Sequence, residues 1–394
     1  MLGDSLRFCY VKQSEVFLCS NKMNAIVRSA PLIRPKFHST KINCSALITT
    51  SDPKTIFATG GEDSILINEY DKLSGKLIVK QTLSGHISSI RTLYSYQEDG
   101  KVYLISGGGR SQVVVWIVEL KIDGDILTKQ LDSHFHWSTD SLARKHWKDF
   151  QVQMDTQFRY LASDVCRHPE GLLIAMSCSD GFLRLFLLDF KSQKLRFILE
   201  SKVSVFCPLS LARVENTYLV GANDGVISFW QIQSGPCRLS DIPSSQMRHL
   251  KMVNEIYSHQ SGINAISCKH VRDNIWIIFS AGDDGDLTAF VIEKKSDLVE
   301  LVAQTSVSSA HTALISTLVL IEPDILVSAS IDERLRCWQY KIDNEDCDDL
   351  KLELRKSMVS RVSDVSSSVK IAWANGKNTV ILAGEGFQGV DILI

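Results

Sequence analysis

The sequence lacks the long apolar runs, the charge excess and the closely spaced cysteines that mark several large classes of protein. Its longest apolar stretches, such as 113–118 and 182–188, fall far short of the roughly 20 residues that a membrane-spanning helix needs. The 43 Lys and Arg nearly balance the 45 Asp and Glu, and the formal net charge is -2. A globally basic nucleic-acid binder is therefore disfavoured, and any contact with RNA is expected to be confined to one region.

The N-terminus and the cysteines favour a cytoplasmic protein without a membrane span. The first five residues include Asp4, an acid where a signal peptide needs basic residues, and no apolar segment follows. The 10 cysteines include no pair at the two-residue spacing of zinc or redox motifs. Most lie inside apolar segments, as reduced thiols do in the cytosol or nucleus.

Motifs of catalysis and metal binding are also missing. The sequence has neither a Gly-x-Ser-x-Gly elbow nor a His-Glu-x-x-His pair. The Gly-Gly-Gly-Arg sequence at 107–110 lacks the lysine of a phosphate-binding loop and predicts a hairpin turn. His134 and His136 have no third ligand at a supporting spacing, so we interpret them as part of a surface loop. The acidic run at 343–349 lacks the glycine of a calcium loop. We expect no enzyme activity, metal or cofactor in this chain.

What the sequence does contain is an internal repeat. Four segments align without gaps, and each places an aromatic residue six positions after an Asp; they are 178–186, 222–230, 282–290 and 329–338. Small residues and Asp-Gly favour a tight turn, and the alternating residues that follow predict a strand with one face in a core. Each segment therefore predicts the middle hairpin of a four-stranded sheet.

A histidine precedes several copies at a spacing that resembles the WD repeat. In that family the His, a Ser or Thr, the Asp and a Trp form a buried hydrogen-bonded set. The last copy matches completely, and the one before it has Phe290 in place of the Trp. The predicted structural set therefore comprises His311, Ser328, Asp332 and Trp338, together with His259, Ser280 and Asp284.

Other copies depart from this pattern. Arg110 stands at the Asp position beside Ser106 and Trp116, and Met176 and Val220 replace the hydroxyl residue of two further copies. A degraded set satisfies fewer buried polar groups, so these repeats are predicted to depend more on apolar packing.

Counting the hairpins predicts an all-β fold, a seven-bladed WD-repeat β-propeller. The blades are expected near residues 40–80, 86–122, 157–198, 203–235, 259–303, 311–356 and 361–394. The last copy ends after about three strands, and an open sheet edge exposes unpaired backbone groups. We therefore expect the N-terminal segment, residues 1–35, to supply the closing strand from about Asn24 to Arg28. Alternatively, residues 1–30 belong to a preceding domain.

The propeller, residues 36–394, is predicted to carry an insertion at about 121–157. This insertion contains Arg144, Lys145, Trp147 and Lys148, and helical spacing would place Arg144 and Lys148 on one face. Basic residues interleaved with aromatics suit RNA, because cations neutralise phosphate and an indole can stack on a base. Three interpretations stay open: a capping helix with solvated charges, a contact with a partner protein, and a direct contact with RNA.

Several stretches resemble the C-terminal part of the WD repeat-containing protein 6 family and its fungal counterparts; they are 145–160, 180–188, 259–266, 325–335 and 383–386. The resemblance implies a non-catalytic partner of an FtsJ-type methyltransferase that places a 2'-O-methyl group on the wobble nucleotide, position 34, of tRNA. The methyl donor, S-adenosylmethionine, and the catalytic residues would belong to that partner. This chain would bind the methyltransferase and position the tRNA.

The family's members are much longer chains with additional propellers, whereas this sequence predicts a single ring. A rival hypothesis is a protein–protein adaptor of another pathway, such as ubiquitin ligation or vesicle recycling. The rival stands because a propeller fold does not by itself select a partner.

Overall fold

The computed structural model of the protein describes residues 26–29, 41–121, 125–135, 158–233, 249–295, 298–342, 349–373 and 376–393. Within these ranges the chain forms 28 β-strands in seven four-stranded antiparallel sheets, here called blades 1 to 7. No helix in these ranges could cross a membrane.

Six blades each use four consecutive strands, numbered from the innermost strand outwards. Blade 1 comprises β2 to β5 (Cys44–Ser51, Lys54–Gly60, Ser64–Asp71, Lys76–Ser84), and blade 2 comprises β6 to β9 (Ile90–Glu98, Lys101–Gly108, Gln112–Leu120, Ile126–Phe135). Blade 3 comprises β10 to β13 (Tyr160–His168, Gly171–Cys178, Phe182–Asp189, Lys194–Lys202), and blade 4 comprises β14 to β17 (Pro208–Val214, Thr217–Ala222, Val226–Ile232, Leu250–Tyr257). Blade 5 comprises β18 to β21 (Ile263–Arg272, Ile275–Gly282, Leu287–Lys295, Leu298–Val307), and blade 6 comprises β22 to β25 (Ile315–Ile321, Ile325–Ser330, Arg334–Ile342, Leu350–Val359).

Blade 7 joins the two ends of the chain. Its first three strands are β26 (Ser367–Ala372), β27 (Asn378–Gly384) and β28 (Gly386–Leu393), and its outer strand is β1 (Ile26–Ser29). β1 and β28 form an antiparallel pair in which Ile26 lies opposite Leu393 and Ser29 lies opposite Val390. The last sheet is thus completed by backbone hydrogen bonds from a segment near the start of the sequence.

The innermost strands of neighbouring blades contact one another around the whole circle, and blade 7 contacts blade 1. The predicted seven-bladed WD-repeat propeller is confirmed. Because successive strands of each blade are antiparallel, the turns between second and third strands lie on the same side as the connections to the next blade. We call this side the connection face.

The core lies between the blades. Seven clusters of buried apolar side chains each draw on two neighbouring blades, so every interface around the ring is filled. In the cluster between blades 1 and 2, for example, Ile65 and Ile67 of the first blade pack with Val114 and Trp116 of the second. A sheet with both faces covered can be apolar on both faces, which explains continuous apolar runs such as Val113–Val118.

Two blades extend further than their sequence pattern predicts. The blade expected at 86–122 continues into β9, so this strand occupies part of the insertion predicted at about 121–157. The blade expected at 203–235 is completed by β17. Along β17 only Leu250 and Ile256 are buried, because an outer strand packs against few neighbours. Its sequence therefore shows little of the alternation of apolar and polar residues by which a strand is predicted.

Candidate functional site

The structure brings together the four residues of the complete repeat, which we call the blade 6 set. His311 lies in the connection from blade 5, Ser328 on β23, Asp332 in the turn after β23, and Trp338 on β24. His311 Nε2 lies 2.7 Å from Ser328 Oγ, and the Trp338 indole donates to the same oxygen at 2.9 Å. His311 Nδ1 lies 3.0 and 3.1 Å from the two carboxylate oxygens of Asp332. These bonds tie the connection to the sheet beneath it.

Charge in the blade 6 set is fixed by burial and hydrogen bonding. Burial lowers the pKa of His311, although the Asp332 carboxylate opposes this change. Burial would raise the pKa of Asp332, but the Thr312 backbone N–H and the His311 ring lower it below its usual range. A neutral imidazole and a charged carboxylate therefore coexist at neutral pH, and their hydrogen-bonding groups are already engaged.

We expect Asp332→Ala to lower the free energy of unfolding by about 1–3 kcal/mol, because it leaves the buried Nδ1 of His311 without its hydrogen-bond partner. Chemical denaturation of the purified variant measures this change. Asp349→Ala is the control, since Asp349 is 48% exposed and its ion pair with Lys351 lies at the surface. Equal unfolding midpoints for wild type and Asp332→Ala would contradict a stabilising role for this set.

Blade 5 repeats the arrangement with one bond fewer. His259 Nδ1 lies 3.0 Å from Asp284 Oδ1, and its Nε2 lies 2.9 Å from Ser280 Oγ. Phe290 is buried at the position of the indole but has no N–H to offer Ser280. The three predicted polar residues thus form the same link between connection and sheet.

A hollow of about 240 Å³ lies beside the blade 5 residues, with Tyr257, His259 and Asp286 in its lining. Its carboxylates are already occupied, because Asp284 binds His259 and Asp286 Oδ1 accepts the Ser309 backbone N–H at 2.7 Å. The arrangement suits packing of the loop better than acid–base chemistry.

Blade 2 has the histidine, the serine and the tryptophan but not the acid. His86 Nε2 lies 2.7 Å from Ser106 Oγ, and the Trp116 indole lies 3.3 Å from that oxygen. Among the described residues, His86 Nδ1 has no hydrogen-bond partner, and Arg110 stands at the acid's position. Burial lowers the pKa of His86 to about 4, partly opposed by the nearby Gln112 amide.

Blade 3 replaces the histidine with a buried arginine that sequence reasoning missed. Arg184 donates to both oxygens of Asp180, at 3.2 and 2.6 Å, and through Nε to Glu200 at 2.9 Å. Its side chain is 2% exposed. The available signal was a lone arginine in the apolar strand β12, four residues after an Asp that has no histidine partner.

The predicted contact residues Arg144, Lys145, Trp147 and Lys148 lie outside the described residues, as does His136. The interpretation of His134 as part of a surface loop is wrong. It lies on β9, opposite Val113, and its ring stacks on Phe197 at 6.4 Å. In the described part of the chain, no group of three His, Cys, Asp or Glu side chains could hold a metal ion.

Comparison with curated proteins gives matches that share one name, tRNA (34-2'-O)-methyltransferase regulator WDR6. The relatives from Pongo abelii and Homo sapiens are each 23% identical over 406 residues, and the one from Mus musculus is 24% identical over 412. Each alignment covers 85% of this chain. The predicted resemblance to the WDR6 family is confirmed. The chain spans only 36% of the length of these WDR6 relatives.

Family models and solved structures give two further comparisons. No family model matches the sequence. The crystal structure of the RRP9 WD40 repeats superposes with a TM-score of 0.59 at 14% identity, covering 93% of this chain and 97% of that one. The computationally designed Ika8 protein gives 0.52 at 18% identity, covering 92% and 99%. These likenesses show the propeller fold alone.

Proposed function

We propose that this chain is a non-catalytic scaffold that binds a tRNA 2'-O-methyltransferase and positions tRNA for ribose methylation at wobble position 34. The observation that carries the proposal is the match over 85% of the chain to proteins named as regulators of that methyltransferase. We place this function in the cytoplasm, in line with the six cysteines of the described residues, which are free thiols and four of which are buried.

The state of the polar side chains supports the non-catalytic part of the proposal. The Ser, His and Asp residues that recur in the repeats bind one another within blades 5 and 6, so their donors and acceptors serve the fold. In this proposal the methyltransferase holds S-adenosylmethionine and the catalytic groups. The propeller contributes no reacting atom.

A rigid ring suits the scaffold role for a physical reason. Holding two molecules in a fixed relative geometry removes much of the entropic cost of a productive encounter. Seven filled interfaces and a last blade completed by β1 make the ring a stiff platform. The predicted contact residues Arg144, Lys145, Trp147 and Lys148 remain part of this proposal as candidates for touching RNA or the partner.

The test compares tRNA from cells with and without the gene. We expect 2'-O-methylation at position 34 to be lost from the tRNAs served, while ribose methylation elsewhere in the same tRNAs persists as the internal control. The tagged chain should also co-purify the methyltransferase. Full methylation at position 34 in cells without the gene would contradict the proposal, and capture of ubiquitin-ligase or vesicle components instead would favour the adaptor alternative.

A further inference from the structure

The turn between the second and third strands of blade 2 differs from its counterparts. In the other six blades this turn on the connection face carries an acid; the six acids are Asp63, Asp180, Asp224, Asp284, Asp332 and Glu385. Blade 2 carries Arg110 there. The exchange removes an acceptor that His86 could use and places a cation where the other six turns carry a carboxylate. A turn that departs from the pattern of the other repeats at a cost in stability is a candidate functional site.

The backbone of this turn is held in an unfavourable conformation. Arg110 and Ser111 both have positive φ, 59° and 50°, whereas blades 3 to 5 place a glycine at the left-handed position of the same turn. The turn also fits closely against the preceding connection, since a Cβ on Gly109 would lie 2.4 Å from Ser88 Oγ. The surrounding structure therefore fixes where Arg110 stands.

Two more arginines flank this turn. Arg159 pairs with Gly109 through an isolated bridge at the entry to blade 3. Arg91 is the extra residue of a bulge between Ile90 and Thr92 on β6, the innermost strand of blade 2. Gly109 donates its backbone N–H to the Ser89 carbonyl at 2.9 Å, so the turn, the segment that leads into β6 and Arg159 meet at one place. Burial and then the Arg159 guanidinium lower the pKa of Arg91.

No carboxylate among the described residues forms an ion pair with Arg91, Arg110 or Arg159. Arg91 Nε is buried and has no hydrogen-bond partner there. Arg184 and Arg213 each bind a carboxylate at 2.6 Å. Arg336 Nε is also buried without a partner, but its guanidinium donates through Nη1 to the Ala310 carbonyl. A buried guanidinium N–H that is left unpaired beside a second cation points to a missing anion.

We propose that Arg91, Arg110 and Arg159 form an anion site where blades 2 and 3 meet, and that it binds backbone phosphate of RNA. Guanidinium groups present paired N–H donors that match phosphate oxygens, and three cations that form no ion pair within the described residues favour a polyanion. The acids on the other blades would repel the same RNA, so the site would also fix where it crosses the face. This inference rests on the proposed function, because it names where the tRNA is held.

The test measures binding of a fluorescently labelled, unmodified tRNA transcript to the full chain at several salt concentrations. Arg91→Gln, Arg110→Gln and Arg159→Gln together should weaken binding about tenfold at low salt. The slope of log affinity against log salt should become shallower by about one unit for each phosphate that is no longer neutralised. Arg361→Gln is the matched control, since Arg361 is exposed on the same face before blade 7 and should leave the affinity unchanged.

A second variant separates binding from folding. Arg110→Asp restores the acid of the other blades and offers His86 an acceptor, so we expect its thermal midpoint to be no lower than that of the wild type. Its tRNA affinity should nevertheless fall at least as far as that of Arg110→Gln, because the charge is reversed.

Three outcomes would overturn the site. The first is that the triple variant or Arg110→Asp binds tRNA as tightly as the wild type. The second is that Arg361→Gln loses as much tRNA affinity as the triple variant, and the third is that the wild-type chain does not bind the transcript. If the triple variant keeps its tRNA affinity but loses the methyltransferase, the arginines recognise an acidic protein surface and the RNA site is wrong. If the methyltransferase still co-purifies while tRNA affinity is unchanged, the site fails and the proposed function stands.

Discussion

Replacing Arg184 with alanine should lower the free energy of unfolding by about 3–5 kcal/mol, the largest effect we expect from a single substitution. The guanidinium lies between Asp180 and Glu200 and is 2% exposed, while the two carboxylates are 8% and 15% exposed. Alanine would leave both negative charges partly buried without their cation. Charges that are largely shielded from water and have lost this cation are far more costly than a broken surface pair.

The electrostatics of Arg184 support this expectation. Burial alone would lower its pKa, but the hydrogen bonds to Asp180 and the neighbouring charges outweigh burial and raise it. The guanidinium also lies 5.2 Å from the ring centre of Phe182, so substitution removes packing as well as charge. Lysine at this position would keep the charge but lose the paired N–H donors, and an intermediate loss is expected.

Chemical denaturation of the purified variants measures these effects. Arg196→Ala is the control, because its pair with Glu170 at 2.8 Å is exposed and should contribute less than about 1 kcal/mol. Combining Arg184→Met with Asp180→Asn and Glu200→Gln should recover much of the loss, since no charge is then left unpaired. A loss below about 1 kcal/mol for Arg184→Ala would show that the two carboxylates reach water, contrary to the structure.

Acidification below pH 6.5 should destabilise the protein through His86. Its pKa falls from 6.5 to about 4 on folding, mainly because the ring is buried. The unfolded chain therefore binds the proton more readily than the folded one between these two values. The neutral ring contributes fully to the free energy of unfolding above pH 6.5. This contribution, about 3 kcal/mol in all, is lost as the pH falls towards 4.

A His86→Gln variant tests this assignment. Glutamine does not titrate, so the stability of the variant should be less sensitive to pH between 6.5 and 4. At pH 7 the variant should be only slightly less stable than the wild type, because it lacks the hydrogen bond between the ring and Ser106. Unfolding free energies at several pH values give the slope directly. Parallel pH profiles for wild type and variant would show that another group causes the acid sensitivity.

The repeat could be predicted from the sequence because its signal is local. An Asp-containing turn, an aromatic six residues later and a preceding histidine are all set within one blade, and the blade 6 set therefore appears in the structure as four residues on one sheet and its connection. The outer strands β9 and β17 escaped prediction for the opposite reason. Each pairs with another strand along one edge only, and apolar and polar residues do not alternate regularly along it.

The role of Arg184 and the grouping of Arg91, Arg110 and Arg159 depend on the ring. Arg91 and Arg159 are 68 positions apart by their numbers, and only the adjacency of blades 2 and 3 brings their charges together.

The sequence by itself determined the all-β repeat, the number of blades and the family resemblance, because each rests on spacing within a short segment. Only the tertiary structure decided which charges are paired and which are left without a partner. Pairing depends on burial and on contacts between blades, and neither is encoded in any one repeat.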